Sequence, residues 1–423
     1  SARPIPPLAP NTAALRGILH YGTLMKWRAL RYLTPSERMW QRLHALYSAM
    51  EAENLHRNPV QAYPDDKFQR TIETAYVNIL MLDLVNSGTF YPRQIDLIDR
   101  WLEKWNVDYA LTRELQAEQT VFAVDLAADA GPKRARNPAP DKPMRYWSSE
   151  PVLGYIRKSS DLIREGAAPS ALGLSEDVRT SECQGLLEHL QRQWATESSR
   201  EQRRSPRVEV KRLYELAHGL NDVLEVLDGI ADPGNPGSFY DEAQDMQVYG
   251  FVTRRTRERK RNADQDAPRI ERWVMQDESA CGFGATVETQ NRDWLRVGVL
   301  VAVRTHEEAA WRVGVIRRLT RNGPDAFSVG IEVISDSVTA VDLSDGNTSN
   351  YTIAGDGYQG AERPHEVLLA QRKNEATTLL LDPICFQPDR VWTLHTPAGP
   401  ERIRITSPIQ HGDGWLEAAY QAL

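Results

Sequence analysis

Apolar residues recur at helical spacing through the first half of the chain. In "TPSERMWQRLHALYSAM" (34–50), Met39, Leu43, Leu46, Tyr47 and Met50 fall on one helical face. Thr34, Pro35 and Glu37 precede that face in the order of an N-terminal capping box. A second stripe predicts a helix over about 71–85, ending at Ser87-Gly88. A third helix follows Pro92 and carries Ile95, Ile98, Trp101, Leu102 and Trp105 on one side. Helices joined by short connections predict an all-α domain over 12–196. Residues 1–11, "SARPIPPLAPN", read as a linker without the charged-then-apolar order of a secretory leader. "DAGPKRARNPAPDKP" (129–143) reads as a loop within the helical domain.

After "WATESSREQRRSPRVEV" the period changes. "KRLYELAHGLNDVLEVLDG" is mixed or helical in character, and "ADPGNPGS" is a turn-rich break. From Gln247 onward, short apolar runs such as "WLRVGVLVAVR", "WRVGVIRRL" and "FSVGIEVIS" alternate with turns. Regularly spaced short strands predict a barrel or sandwich. The β-rich chain over 336–423 is too long to finish one small barrel. It forms either a second barrel-like module or strands added to the first.

Composition narrows the function. The formal net charge is -7, which disfavours bulk nucleic-acid binding. No apolar run approaches the roughly 18 residues of a membrane span. Three widely separated cysteines, Cys183, Cys281 and Cys385, form neither a zinc spacing nor a disulfide framework. They predict a reducing, cytoplasmic setting. His218, His306, His365, His395 and His411 share no metal-ligand spacing, so neither a metal nor a cofactor is expected. The phosphate-binding and nucleophile motifs of common enzymes are absent. "DLSDGN" (342–347) reads as a hairpin loop.

Three stretches carry candidate chemistry. "RWVMQDESACGFGATV" (272–287) sets Asp277, Ser279 and Gly282 at D-x-S-x-x-G between strand-like halves. A carboxylate there can accept paired N–H donors, and glycine permits close backbone approach or positive φ. "RRSPRVEV" carries Arg203, Arg204 and Arg207 and turns straight into an alternating strand. Guanidinium groups fork onto phosphates and onto guanine O6 and N7. A second basic run, "TRRTRERKR" (253–261), holds Arg255 and Arg259 in the same four-residue register.

Taken together, an arginine arm, D-x-S-x-x-G and strands ending in "VGIEVI" resemble the PilZ domain, the cyclic di-GMP receptor module, over about 200–335. The resemblance implies a six-stranded barrel. It implies that Arg203, Arg204 and Arg207 hold phosphate and guanine, that Asp277 and Ser279 read guanine, and that Gly282 keeps the turn open. The family sets arm and turn close in sequence. Here Arg207 precedes Asp277 by 70 positions, whereas Arg255 precedes it by 22. Helical "YELAHGLNDVLEVL" would be an insertion widening the first gap. Arg255 and Arg259 are therefore the rival arm.

The expected fold is α+β multidomain: an all-α helical domain at 12–196, a PilZ-like six-stranded antiparallel β-barrel at 197–335, and further C-terminal strands at 336–423. The expected function is a non-enzymatic cyclic di-GMP receptor. Its arm would order on the ligand, and its helical domain would dock a protein partner. Neither membrane nor nucleic acid is an expected partner. The alternatives are a nucleic-acid binder using 253–261 and a PilZ-like adaptor without ligand.

Overall fold

The computed structural model describes residues 8–85, 87–116, 120–137, 139, 141–196, 208–227, 270–288, 293–305, 310–345, 364–371 and 376–423. Internal contacts divide the chain into two units, 1–202 and 203–423.

The first unit is built on α1 (Pro10–Ala29), α2 (Met39–Ala52), α3 (Ile72–Asp83), α4 (Pro92–Trp105), α5 (Glu150–Arg164) and α6 (Thr180–Trp194). The predicted stripes are its core. Met39, Leu43, Tyr47 and Met50 of α2 are buried, as are Ile95, Ile98, Trp101, Leu102 and Trp105 of α4. Tyr47 stacks on Tyr76 with ring centroids 4.4 Å apart. Tyr47 donates to the buried carboxylate of Glu73, which also takes Arg57 Nε–H at 3.0 Å.

Two local expectations change. Thr34 does not cap α2, which begins only at Met39, after Arg38 has taken a left-handed φ of 61°. The cap comes instead from Asp129, far away in sequence. Its carboxylate accepts the Arg38 and Gln41 N–H groups, and these donors hold its pKa below the usual carboxylate range. A carboxylate from a distant loop can serve the first-turn N–H groups as well as a local one. The unit is also not wholly helical. Strands β1 (Phe122–Asp125), β2 (Lys133–Arg134) and β3 (Met144–Trp147) form an antiparallel sheet in the order β2-β1-β3. Each has at most four residues, too few for alternation to declare itself, and β2 lies within the stretch read as loop.

The second unit contains two closed antiparallel barrels. The first joins β4 (Val208–His218), β5 (Glu271–Ser279), β6 (Gly282–Glu288), β7 (Leu300–Thr305), β8 (Arg312–Arg321) and β9 (Ala326–Ser335), in the order β4-β5-β6-β9-β8-β7. Helix α7 (Leu220–Leu227) follows β4 and buries Leu220, Val223, Leu224 and Val226. "YELAH" is therefore strand, and only the residues after it are helix. The second barrel joins β10 (Ser337–Asp345), β11 (His365–Gln371), β12 (Thr378–Leu381), β13 (Val391–Thr396), β14 (Gly399–His411) and β15 (Leu416–Ala422), ordered β10-β11-β12-β15-β14-β13. The C-terminal stretch thus closes on itself rather than extending the first barrel. "DLSD" continues β10 instead of turning.

The two barrels share a core. Leu300, Val313 and Ile334 of the first cluster with Leu368, Leu380 and Trp415 of the second, beside α7. Fully buried Trp415 donates its indole N–H to Gly298 O at 2.8 Å, and Asp413 N–H reaches the same carbonyl at 2.9 Å. Trp415→Ala is expected to cost about 3–5 kcal/mol, the usual cost of emptying so large a buried site. Hydrogen exchange of the β12 and β15 amides would rise accordingly. Unchanged exchange there would contradict the shared core.

Candidate functional site on the first barrel

The D-x-S-x-x-G stretch is a hairpin. Ser279 at the end of β5 pairs with Gly282 at the start of β6, and Ala280-Cys281 form the two-residue turn. The Ser279 hydroxyl donates to Gly282 O at 3.3 Å and accepts from Cys281 N–H at 3.4 Å, so it braces the turn itself.

Gly282 is required here by close approach. Its φ is not in the left-handed region, contrary to one of the two reasons considered from sequence. A Cβ at this position would lie 2.2 Å from the Ile331 carbonyl oxygen of β9. The alternate glycine, Gly284, has a different task. It faces Asp277 across β5–β6, and a Cβ on it would sit 2.5 Å from Asp277 Oδ2. The Asp277 carboxylate therefore lies over bare backbone. Sequence reasoning missed Gly284, although the alternation in "CGFG" was its signal.

Side chains alternate across the strand. Glu278, between Asp277 and Ser279, joins a brace on the opposite face. It accepts from Tyr214 OH at 3.0 Å and from Arg312 at 2.9 Å. Arg312 lies 4.6 Å over the Phe283 ring, and burial, together with the Glu278 contact, raises the Tyr214 pKa. This network fixes the strand that presents Asp277.

The strand that follows the first arm lies beside the turn. Strand β4 runs antiparallel to β5, with Val208 opposite Glu278 and Glu209 opposite Asp277. Residue 207 thus precedes a strand end that lies beside the turn. Glu209 and Asp277 are therefore cross-strand partners, which sets two acidic residues at this acidic corner of the barrel. Glu271 pairs with Leu216, and six residues of strand, about 20 Å, separate it from Asp277. Arg203, Arg204, Arg207, Arg255 and Arg259 themselves lie outside the described residues.

Two cavities of the helical unit are lined by charged groups already paired with one another. One of about 400 Å³ is lined by Lys26, Asp96 and Asp99, where Lys26 bridges both acids at 2.6 and 2.8 Å. Another of about 410 Å³ contains the Arg57–Glu73 pair. Among the described residues no group of three or more His, Cys, Asp or Glu could hold a metal ion, and no helix is long and apolar enough to cross a membrane.

Two family models match the chain. The model described as "Cyclic-di-GMP receptor FimW, N-terminal domain" matches residues 2–115, and "Cyclic-di-GMP receptor FimW, middle PilZ domain" matches residues 237–339. Together they take in just over half of the chain. The chain belongs to the PilZ-domain cyclic di-GMP receptor family. No curated protein matches it. The FimW N-terminal match takes in α1 to α4 and most of the stretch read as linker. The middle PilZ match contains the turn and the second arm, and begins after β4 and the first arm.

The two PilZ glycines are expected to separate fold from ligand binding. Gly282→Ala forces the β6 and β9 backbones apart and should destabilise the barrel by about 1–3 kcal/mol, an overpacking cost. Gly284→Ala meets a movable side chain. It should leave stability within about 1 kcal/mol and displace the Asp277 carboxylate, weakening cyclic di-GMP binding. Thermal unfolding and calorimetric titration of both variants check this. Equal effects on both readouts would contradict the assignment.

Proposed function

We propose that this chain is itself a cyclic di-GMP receptor whose site is the outer face of the first barrel at the β5–β6 turn. The observation that carries the reading is the register of β4 on β5. It brings the strand end that continues "RRSPR" next to Asp277, so that arm and turn serve one ligand. Arg203, Arg204 and Arg207 take the phosphates and a guanine face, since planar guanidinium forks suit both. Asp277 accepts guanine N1–H and N2–H, Ser279 contributes its hydroxyl at the turn, and Gly282 holds the hairpin against β9.

The acidic corner and the basic arm act in opposition to the ligand's own charges. Phosphates neutralise arginines that otherwise repel one another, while Glu209 and Asp277 receive N–H donors. Binding orders the arm on the barrel and changes what the helical unit presents to a protein partner. The reaction is binding without turnover and uses no cofactor, and the setting is cytosolic. An extension of the PilZ fold that had lost its ligand would not need the Asp277–Gly284 arrangement.

A second reading assigns the ligand phosphates to Arg255 and Arg259. It is favoured by the extent of the middle PilZ match, which takes in that run and leaves out the first arm. Calorimetric titration of paired variants decides between the two. Arg203→Ala/Arg207→Ala is expected to weaken cyclic di-GMP binding far more than Arg255→Ala/Arg259→Ala. Each charge-assisted contact is worth about 1.5–3 kcal/mol, roughly 10- to 150-fold. The reverse ranking moves the site to the second arm. Asp277→Ala should weaken binding at least about tenfold, because buried N–H donors left unmatched cost about 1–3 kcal/mol each. Parent-like affinity in that variant would reduce the turn to a structural element.

A further inference from the structure

The row that begins at Asp277 continues across the outer face of the first barrel. Asp277 faces Gly284 of β6, Gly284 faces Gly330 of β9, and Gly330 faces Arg318 of β8. Three strand spacings of about 4.8 Å set the two ends about 14 Å apart between α-carbons. Both end side chains turn inward. The Asp277 carboxylate covers Gly284, as described. Arg318 covers Gly330: its Nε lies 3.7 Å and its Cβ 3.3 Å from where a Gly330 Cβ would stand. The two glycines add no side chains of their own, so this row of the face carries only a carboxylate and a guanidinium. The adjacent row on the same face, Thr286, Ser328 and Thr320, is small and polar.

Arg318 differs from the other arginines of its strand. Arg312 is paired with Glu278, Arg317 with Glu332, and Arg321 with the Gly323 and Pro324 carbonyls. Arg318 is exposed and makes no hydrogen bond or ion pair among the described residues. Its side chain lies over Gly330 of β9, on the row that Asp277 begins.

We propose that Arg318 is a ligand-binding and specificity residue of this face. It donates its fork to O6 and N7 of the guanine whose N1–H and N2–H meet Asp277. This rests on the cyclic di-GMP reading given above. The chemistry follows from the two ends of the row. An ionised carboxylate only accepts hydrogen bonds, and a guanidinium only donates them. Guanine alone among the common bases offers donors at N1 and N2 next to acceptors at O6 and N7. Adenine in the same pose turns its N6 amine towards the Arg318 donors, so the pair would also reject cyclic di-AMP.

The test uses the full chain and two ligands: cyclic di-GMP, and its analogue in which both guanines carry C–H in place of N7. The parent, Arg318→Met and Asp277→Ala are titrated by calorimetry. Arg318→Met keeps the aliphatic stem of an exposed side chain, and circular dichroism verifies its fold. It is expected to bind cyclic di-GMP about 10- to 100-fold more weakly, the scale of one lost bidentate base contact. The analogue should bind the parent more weakly than cyclic di-GMP does, while Arg318→Met should not distinguish the two ligands. Unchanged cyclic di-GMP affinity in Arg318→Met overturns the proposal. So does an equal penalty for the analogue on parent and variant. If the parent and Asp277→Ala behave as the receptor reading requires and Arg318→Met does not, only Arg318 is misassigned. If the parent binds neither ligand, the receptor reading falls, and this inference with it.

Discussion

The antiparallel pairing of β4 with β5 is the constraint on which the rest of the account depends. It closes the first barrel between β5 and β7, and it sets Glu209 beside Asp277. Seventy residues of sequence separate the arm from the turn, yet the strand that follows the arm starts beside the turn. Hydrogen bonding between those two strands turns a remote sequence pair into neighbours. Insertions between paired strands are tolerated because closing a longer loop costs only about 0.6 kcal/mol per doubling of its length. Part of this one is used structurally, since α7 buries its apolar face in the core shared by the two barrels.

Close backbone approach is the second theme of the face. Gly282 lets β6 reach β9, and Gly284 makes room for the Asp277 carboxylate. These are different requirements at alternate positions of one strand. The first is intolerant because a carbonyl oxygen stands in the way, and the second opposes only a side chain that can move. Glu278, Tyr214, Arg312 and Phe283 hold the strand from the opposite face, so Asp277 is presented by a rigid element. A binding group gains most when its support is fixed before the ligand arrives.

Much of this was legible in the sequence, and the reasons for the rest are physical. The stripes of α2 and α4 announced helices because burial on one face imposes a period, and the short apolar runs of β8 and β9, set between turns, announced barrel strands. The start of α2 was not legible, since its cap is Asp129 from another loop. Strands of four residues or fewer, as in β1 to β3, carry no readable period. The D-x-S-x-x-G turn stood out, but its glycine's purpose did not, because an approach to Ile331 O is a tertiary fact. Gly284, and the proposed roles of Glu209 and Arg318, escaped sequence reading for the same reason. Each matters only through the residue that cross-strand register sets opposite it. The closure of the C-terminal strands into their own barrel was one of two open alternatives until the pairing of β10 with β13 was seen.

The chain belongs to the PilZ-domain receptor family, and the central proposal is that it binds cyclic di-GMP at the β5–β6 face of the first barrel. Calorimetric titration of the full chain with cyclic di-GMP, alongside cyclic di-AMP, tests it most directly. The account predicts saturable heat with cyclic di-GMP at micromolar concentration and little or none with cyclic di-AMP. Absence of heat and of any affinity for cyclic di-GMP, or equal binding of the two dinucleotides, would contradict it.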